Sequence, residues 1–184
     1  MDEFALYVLD IAMNSVRAGA TDIEILLKEE GEWLFFTVRD NGCGMTKEQV
    51  QKLSDPFFTT RKTRKVGFGI PFLTMLAEMT GGYVHVTSKP EADGEDHGTV
   101  TEAKFGKDHI DFLPLGDLTE TVKTLIQGAP ETHFVFRHTM AGGEVGVDTA
   151  ELKAVLGDVS LAEPEVLSWI GEYLSEQYAE AKSN

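Results

Sequence analysis

The sequence predicts an α+β fold in two layers, and three features of its 184 residues predict it. Apolar residues alternate in paired short runs separated by tight turns, which is the pattern of antiparallel hairpins. Helical periodicity falls between those hairpins and not between single strands, so the chain lacks the alternation of a doubly wound parallel sheet. After Gly106 the same mixture recurs, as a second α/β portion.

The elements follow in order. Residues 4–18 place Phe4, Tyr7, Ile11 and their apolar neighbours at helical spacing, ending at Ala18-Gly19. "DIEILLKE" alternates Ile23, Ile25 and Leu27 as a strand, and Trp33 to Val38 forms the next, with Glu30-Gly31-Glu32 as the turn. "TKEQVQKL" is a short helix with Thr46 as N-cap and Gln49 in capping-box position. Residues 54–69 have loop composition. "IPFLTMLAEMTGG" is a helix with Pro71 in its first turn and Gly81-Gly82 closing it. "YVHVTS" and "TVTEAKF" are strands. Beyond Gly106, residues 117–127 suggest a helix, and "THFVFRH" and "GEVGVD" a hairpin about Gly142-Gly143. "DTAELKAVL" carries a capping box from Asp148 to Glu151, and Pro164 opens a long amphipathic helix.

Composition narrows the function. A formal net charge of −15 opposes duplex DNA and anionic membrane surfaces as the main partner, so no nucleic acid and no membrane are expected. The single cysteine, Cys43, excludes an intrachain disulfide framework and suits a cytoplasmic location. "MDEFALYVLDIAMNSV" has no basic start and carries Asp10 and Asn14 inside its apolar run, unlike a signal peptide or a membrane span. Against this acidity, Arg61, Lys62, Arg64 and Lys65 cluster in one loop. They read either as a solvated run or as the place where an anion is met.

Three stretches carry chemistry. In "VRDNGCGM" a strand delivers Asp40 into a loop where Gly42 and Gly44 permit left-handed or closely approached backbone. A carboxylate repels phosphate, so this loop is either an ordinary Asp-Asn-Gly turn or a reader of a neutral donor such as an exocyclic amine. Asp10 and Asn14 stand four apart on one helix face, where an acid and an amide can orient water and hold a hard cation, or satisfy each other locally. Arg17 follows one turn on. In "DPFFTTRKTRKVGFGIPF", Gly67 and Gly69 run into a helix start whose free N–H groups, dipole and nearby cations suit an anion.

These stretches, in this order, resemble the GHKL superfamily of gyrase-type, Hsp90-type, histidine-kinase and MutL-type ATPases. "LDIAMNSVRAGATDIEI" is similar to the N-box, "DNGCGM" to the G1 box, "DPFFTTRK" to the F-box of histidine kinases, "GFGIPFL" to the G2 box, and "HGTVTEAKF" to the strand that finishes the adenine pocket. The resemblance covers about residues 4–105. It implies a Bergerat fold, with a mixed, mainly antiparallel sheet and helices on one face, over residues 1–106. Residues 107–184 are then a C-terminal α/β extension. The implied cofactors are ATP and Mg²⁺. Asn14 is implied to coordinate Mg²⁺ and Asp40 to accept the adenine amine. Gly42 and Gly44 would lie against the ring, and Thr99 would join the contacts beneath it. Gly67 and Gly69 would wrap the phosphates in a mobile lid with Phe57 and Phe58 at its root. Arg17, Arg61, Lys62 and Lys65 would supply positive charge, and Asp10 the base. Asp10 stands where these ATPases usually carry glutamate, and Lys65 where the G2 box usually has its first glycine.

The implied activity is kinase-like. None of His85, His97, His109, His133 or His138 sits in a helix suited to accept phosphate, and only three residues precede the first helix. The expectation is therefore a free-standing kinase acting on a partner protein in trans. The alternatives are a nucleotide-dependent binding module with little turnover, and a MutL-like ATPase. Residues 107–184 read as a cap with Leu167, Ile170 and Leu174 as its core, or as a surface for a protein partner or a second copy of the chain. Cys43 reads as a small packing residue.

Overall fold

The computed structural model describes residues 2–53 and 69–184. The helix α1 (Phe4–Arg17) buries Phe4, Val8, Ile11, Ala12 and Ser15 along one stripe. A hairpin follows, β1 (Asp22–Glu30) and β2 (Trp33–Asp40), then the short helix α2 (Lys47–Lys52). The helix α3 (Gly69–Met79), strand β3 (Tyr83–Lys89), a single 3-10 turn at Glu91–Asp93 and strand β4 (Gly98–Gly106) complete the first portion. The second holds α4 (Leu118–Gly128), β5 (His133–Met140), β6 (Gly143–Asp148), α5 (Thr149–Leu156) and α6 (Pro164–Ser183).

One six-stranded sheet runs through both portions in the order β3-β4-β2-β1-β5-β6. All neighbours are antiparallel except β1 and β5, which pair in parallel from Asp22↔His133 to Lys28↔Thr139. The fold is thus α+β with a mixed, mainly antiparallel sheet, as predicted. The hairpin of the second portion extends the first sheet, a pairing that local sequence pattern does not announce.

Strand alternation sets the core. Ile23, Ile25 and Leu27 of β1, Leu34, Phe36 and Val38 of β2, Phe105 of β4 and Phe134 and Phe136 of β5 are all buried under the helix layer. Phe4 meets Phe36 and Phe105 edge-on, with centroids 5.4 Å and 5.1 Å away. Leu167, Ile170 and Leu174 pin α6 to the same core. Burial of a large side chain of this kind is worth about 1.5–3 kcal/mol, so α1 and α6 are held chiefly by such anchors.

Local signals hold at most boundaries. Thr46 and Gln49 close a full capping box on α2. Pro164 occupies the first turn of α6. At α5 the box is only half made: Asp148 accepts from the Ala150 N–H (2.9 Å) without a return arm from Glu151. The same Asp148 oxygen also faces His133 Nε2 (2.8 Å), so this carboxylate serves both a helix end and a strand.

Candidate functional site

The end of β2 positions the acid. Asp40 is the last residue of that strand, and its carboxylate is fixed from two sides. Gly42 N–H donates to Oδ1 (2.9 Å) and the Ser15 hydroxyl to Oδ2 (2.5 Å). Each carboxylate oxygen has two acceptor sites, so Asp40 is oriented by α1 and by its own loop while keeping acceptor capacity for a further donor. Ser15 is nearly fully buried and lies on the apolar stripe of α1. The sequence reading missed it, although a polar residue four positions after Ile11 and seven after Val8 marks the buried face.

The glycine loop is shaped by protein contacts. Gly44 has φ +69°, and a Cβ there would stand 1.9 Å from the Lys89 carbonyl oxygen. Gly42 is buried against Ala18, whose carbonyl accepts from the Cys43 N–H (2.9 Å). Asn41 fastens the loop base: its Oδ1 accepts from Thr21 and Asp22 N–H (both 2.9 Å). Cys43 is exposed and faces the cavity described next, which corrects the expectation of a packing role.

Between α1, α2, α3 and the strand ends lies a cavity of about 330 Å³. That volume is at the small end of the range for small-molecule sites. Ile11, Met45, Leu53, Ile70 and Val86 form apolar walls, and Asp40, Thr99 and Thr101 supply the polar floor. Thr99 Oγ1 is 2.7 Å from Ser88 Oγ, its cross-strand partner, and Ser88 in turn accepts from the Met45 N–H (2.8 Å). Ser88 was also missed; its register opposite Thr99 is the only signal. The cavity thus combines apolar walls with one oriented carboxylate that keeps acceptor capacity for a neutral donor.

Asn14 and Arg17 border the same cavity, where Arg17 Nη1 donates to Asn14 Oδ1 (3.2 Å). The amide oxygen and the guanidinium are therefore close enough to serve one anion–cation pair. Among the described residues no three His, Cys, Asp or Glu side chains form a metal cluster. A Mg²⁺ here would be held by Asn14 together with ligand phosphates and water, the ordinary arrangement for that ion.

Asp10 is not among the described residues that line the cavity, and its Oδ2 is buried with no hydrogen-bond partner among the described residues. A Cβ at Gly69 would approach that oxygen to 2.0 Å, so Gly69 lets α3 begin directly on the Asp10 carboxyl. Burial pushes the Asp10 carboxyl above its ordinary range, with Arg17 and the Gly69 backbone pulling the other way. Phe57, Phe58, Arg61, Lys62, Lys65 and Gly67 lie outside the described residues.

Comparison with known proteins agrees with this geometry. The family model of the histidine kinase-, DNA gyrase B- and HSP90-like ATPases matches residues 2–109. Sporulation kinase B of Bacillus subtilis is 32% identical over 84 residues, covering 44% of this chain and 19% of the kinase. Sporulation kinase A of the same organism is 30% identical over 96 residues, covering 52% and 15%. The chain thus spans less than a fifth of the length of these relatives. The Aquifex aeolicus MutL ATPase domain, solved in complex with ADP, superposes with a TM-score of 0.51 at 16% identity, covering 85% of this chain and 69% of that one. At that identity the likeness speaks for the fold.

Proposed function

The chain belongs to the histidine kinase-, DNA gyrase B- and HSP90-like ATPase family, and from that premise we propose that it binds Mg-ATP in this cavity and passes the γ-phosphate to a partner protein. The carrying observation is Asp40, held at the strand end by Ser15 and Gly42 with acceptor capacity to spare. Asp40 would take the adenine amine, and Thr99 the contacts beneath the ring. Asn14 would be the protein ligand to Mg²⁺, and Arg17 would meet phosphate. Bound Mg²⁺ neutralises triphosphate charge, and the chain contributes position and electrostatics. The cations Arg61, Lys62 and Lys65 and the glycines Gly67 and Gly69 belong to the same proposal as phosphate-side groups.

Two observations support an acceptor outside residues 1–184. The kinases to which the chain is similar are named for sporulation and sensing. Within the chain, His85, His133 and His138 are on strands and His97 and His109 in loops, so no histidine presents itself on a helix.

A second reading has one observation in its favour. Asp10 lies against Gly69 and is not among the described residues lining the cavity, which suits a nucleotide-dependent binding module with little turnover. One experiment separates the two. Calorimetry with Mg-ATP and Mg-ADP on the wild type and Asp40→Ala tests the site, and labelled ATP with candidate partners tests transfer. Asp40→Ala is expected to lose about 2–3 kcal/mol of binding, roughly a hundredfold. Unchanged affinity in that variant would remove the purine pocket. Tight binding without label transfer would leave the binding module standing and the kinase excluded.

A further inference from the structure

The outer face of α6 is built from two kinds of residue. Glu165, Trp169, Glu172, Tyr173, Glu176 and Glu180 recur at helical spacing and are all exposed. Leu167, Ile170, Leu174 and Ala181 occupy the opposite, buried face, so the core does not require the two aromatic rings. Trp169 and Tyr173 nevertheless stack on each other, with centroids 5.0 Å apart and planes 10° from parallel, while remaining 49% and 39% exposed. They border a groove of about 290 Å³ between α6, α5 and the edge strand β6. Two acids of that groove are occupied: Glu144 holds Arg137 (3.1 Å) and Asp148 holds His133. Those on the helix face, Glu165, Glu172, Glu176 and Glu180, make no side-chain hydrogen bond or ion pair among the described residues.

We propose that this face docks a basic, arginine-bearing segment of a partner protein. A stacked aromatic pair presents electron-rich ring faces, over which a guanidinium is attracted and lies flat. The unpaired carboxylates add long-range attraction for the same charge. They repel phosphate, which excludes a nucleic acid strand stacking its bases here and an anionic membrane surface. A symmetric pairing of two copies through this face would bring the carboxylates together. Strand addition at the neighbouring edge is blocked. Gln177 donates to the Gly146 carbonyl (3.0 Å) and accepts from the Gly146 N–H (2.9 Å), taking the bonds an added strand would need there. The partner segment therefore lies along the helix, not as a further strand. This docking face is independent of the nucleotide reading.

The test uses the full chain with Trp33→Phe, so that emission reports Trp169, in nucleotide-free buffer. A blocked peptide of alternating arginine and glycine is titrated at low and at near-physiological salt. A saturable emission change is expected, weakened by salt, and severalfold weaker for the lysine counterpart. Calorimetry on Trp169→Ala/Tyr173→Ala and on Glu172→Lys/Glu176→Lys should each show at least a tenfold loss of affinity. The melting curve of Glu172→Lys/Glu176→Lys should not move, because both side chains are exposed, and that variant carries the test if loss of the half-covered rings lowers the other's melting point. No saturable signal, or equal affinity in the double alanine variant, overturns the proposal. So does preferential binding of oligothymidylate or anionic vesicles, or sedimentation showing that the face joins two copies of the chain.

Discussion

The candidate nucleotide cavity and the C-terminal portion treat their polar side chains in opposite ways. In and beside the cavity, partners are incomplete. Asp40 receives one donor per oxygen, Asp10 Oδ2 receives none among the described residues, and the Asn14 oxygen receives one long bond. In the C-terminal portion, His138 is almost fully buried and both its ring nitrogens are engaged, by Glu29 (2.6 Å) and by the Tyr178 hydroxyl (2.8 Å). His133 is likewise clasped between Asp22 and Asp148, each at 2.8 Å. A buried polar group without partners costs free energy in the empty protein. Where that cost is tolerated, a ligand is expected to relieve it; where every bond is made, the group holds the fold.

The largest effect expected from this contrast is at His138. His138→Leu leaves the Tyr178 hydroxyl without its ring partner and the Glu29 carboxylate with Lys107 alone (3.4 Å), and should cost about 3 kcal/mol in urea unfolding, with nucleotide affinity unmoved. The bond from His138 also holds the Glu29 carboxyl below its ordinary range. Its stabilisation is therefore present above the unfolded pKa of glutamate and is lost as pH falls through the lowered folded value. The variant should show a smaller acid-sensitive limb, since Lys107 still lowers the same carboxyl. If affinity fell in step with stability, the two regions would not be separable.

A smaller effect is expected at Gly69, where the cleft has a structural role of its own. Gly69→Ala drives a Cβ against Asp10 Oδ2 and should destabilise by about 2 kcal/mol. In a double-mutant cycle Asp10→Ala should recover at least about 1 kcal/mol of it. Additive losses would mean that the two residues do not touch.

The smallest effect is at His133. Hydrogen bonds that its ring donates to Asp22 and Asp148 raise its pKa, against desolvation by burial. The stabilisation is fully present below the unfolded value of about 6.5 and fades as pH rises through the raised folded one. His133→Gln should flatten the fall in melting temperature between about pH 6 and 8. The group is partly exposed, so the change should amount to no more than about 1 kcal/mol. An unchanged pH profile would show the clasp to be energetically idle.

Much of this was legible in the sequence where the physics is local. Alternation gave β1 and β2, helical spacing gave α1 and α6, and Thr46 with Gln49 marked the start of α2. Asp40 was legible because a strand ends on it and two glycines follow. Pairings between distant segments were not legible. Nothing in residues 22–28 announces a parallel partner at 133–139, and nothing in "FRHTM" announces Tyr178. Ser15 was overlooked because α1 was read by its apolar stripe alone. Cys43 was misplaced because loop composition does not say toward which side a small residue turns.

The parallel contact between β1 and β5 has a consequence for the order of events during synthesis. Asp22 and His133 are separated by 111 positions. The β1–β2 hairpin can close as soon as it leaves the ribosome, yet the other edge of β1, with its unpaired backbone N–H and C=O groups, stays bare until β5 has emerged. Loops of such length close slowly and leave an adhesive strand uncovered in the meantime. The nascent chain is therefore most in need of chaperone protection in the interval between the appearance of β4 and that of β5.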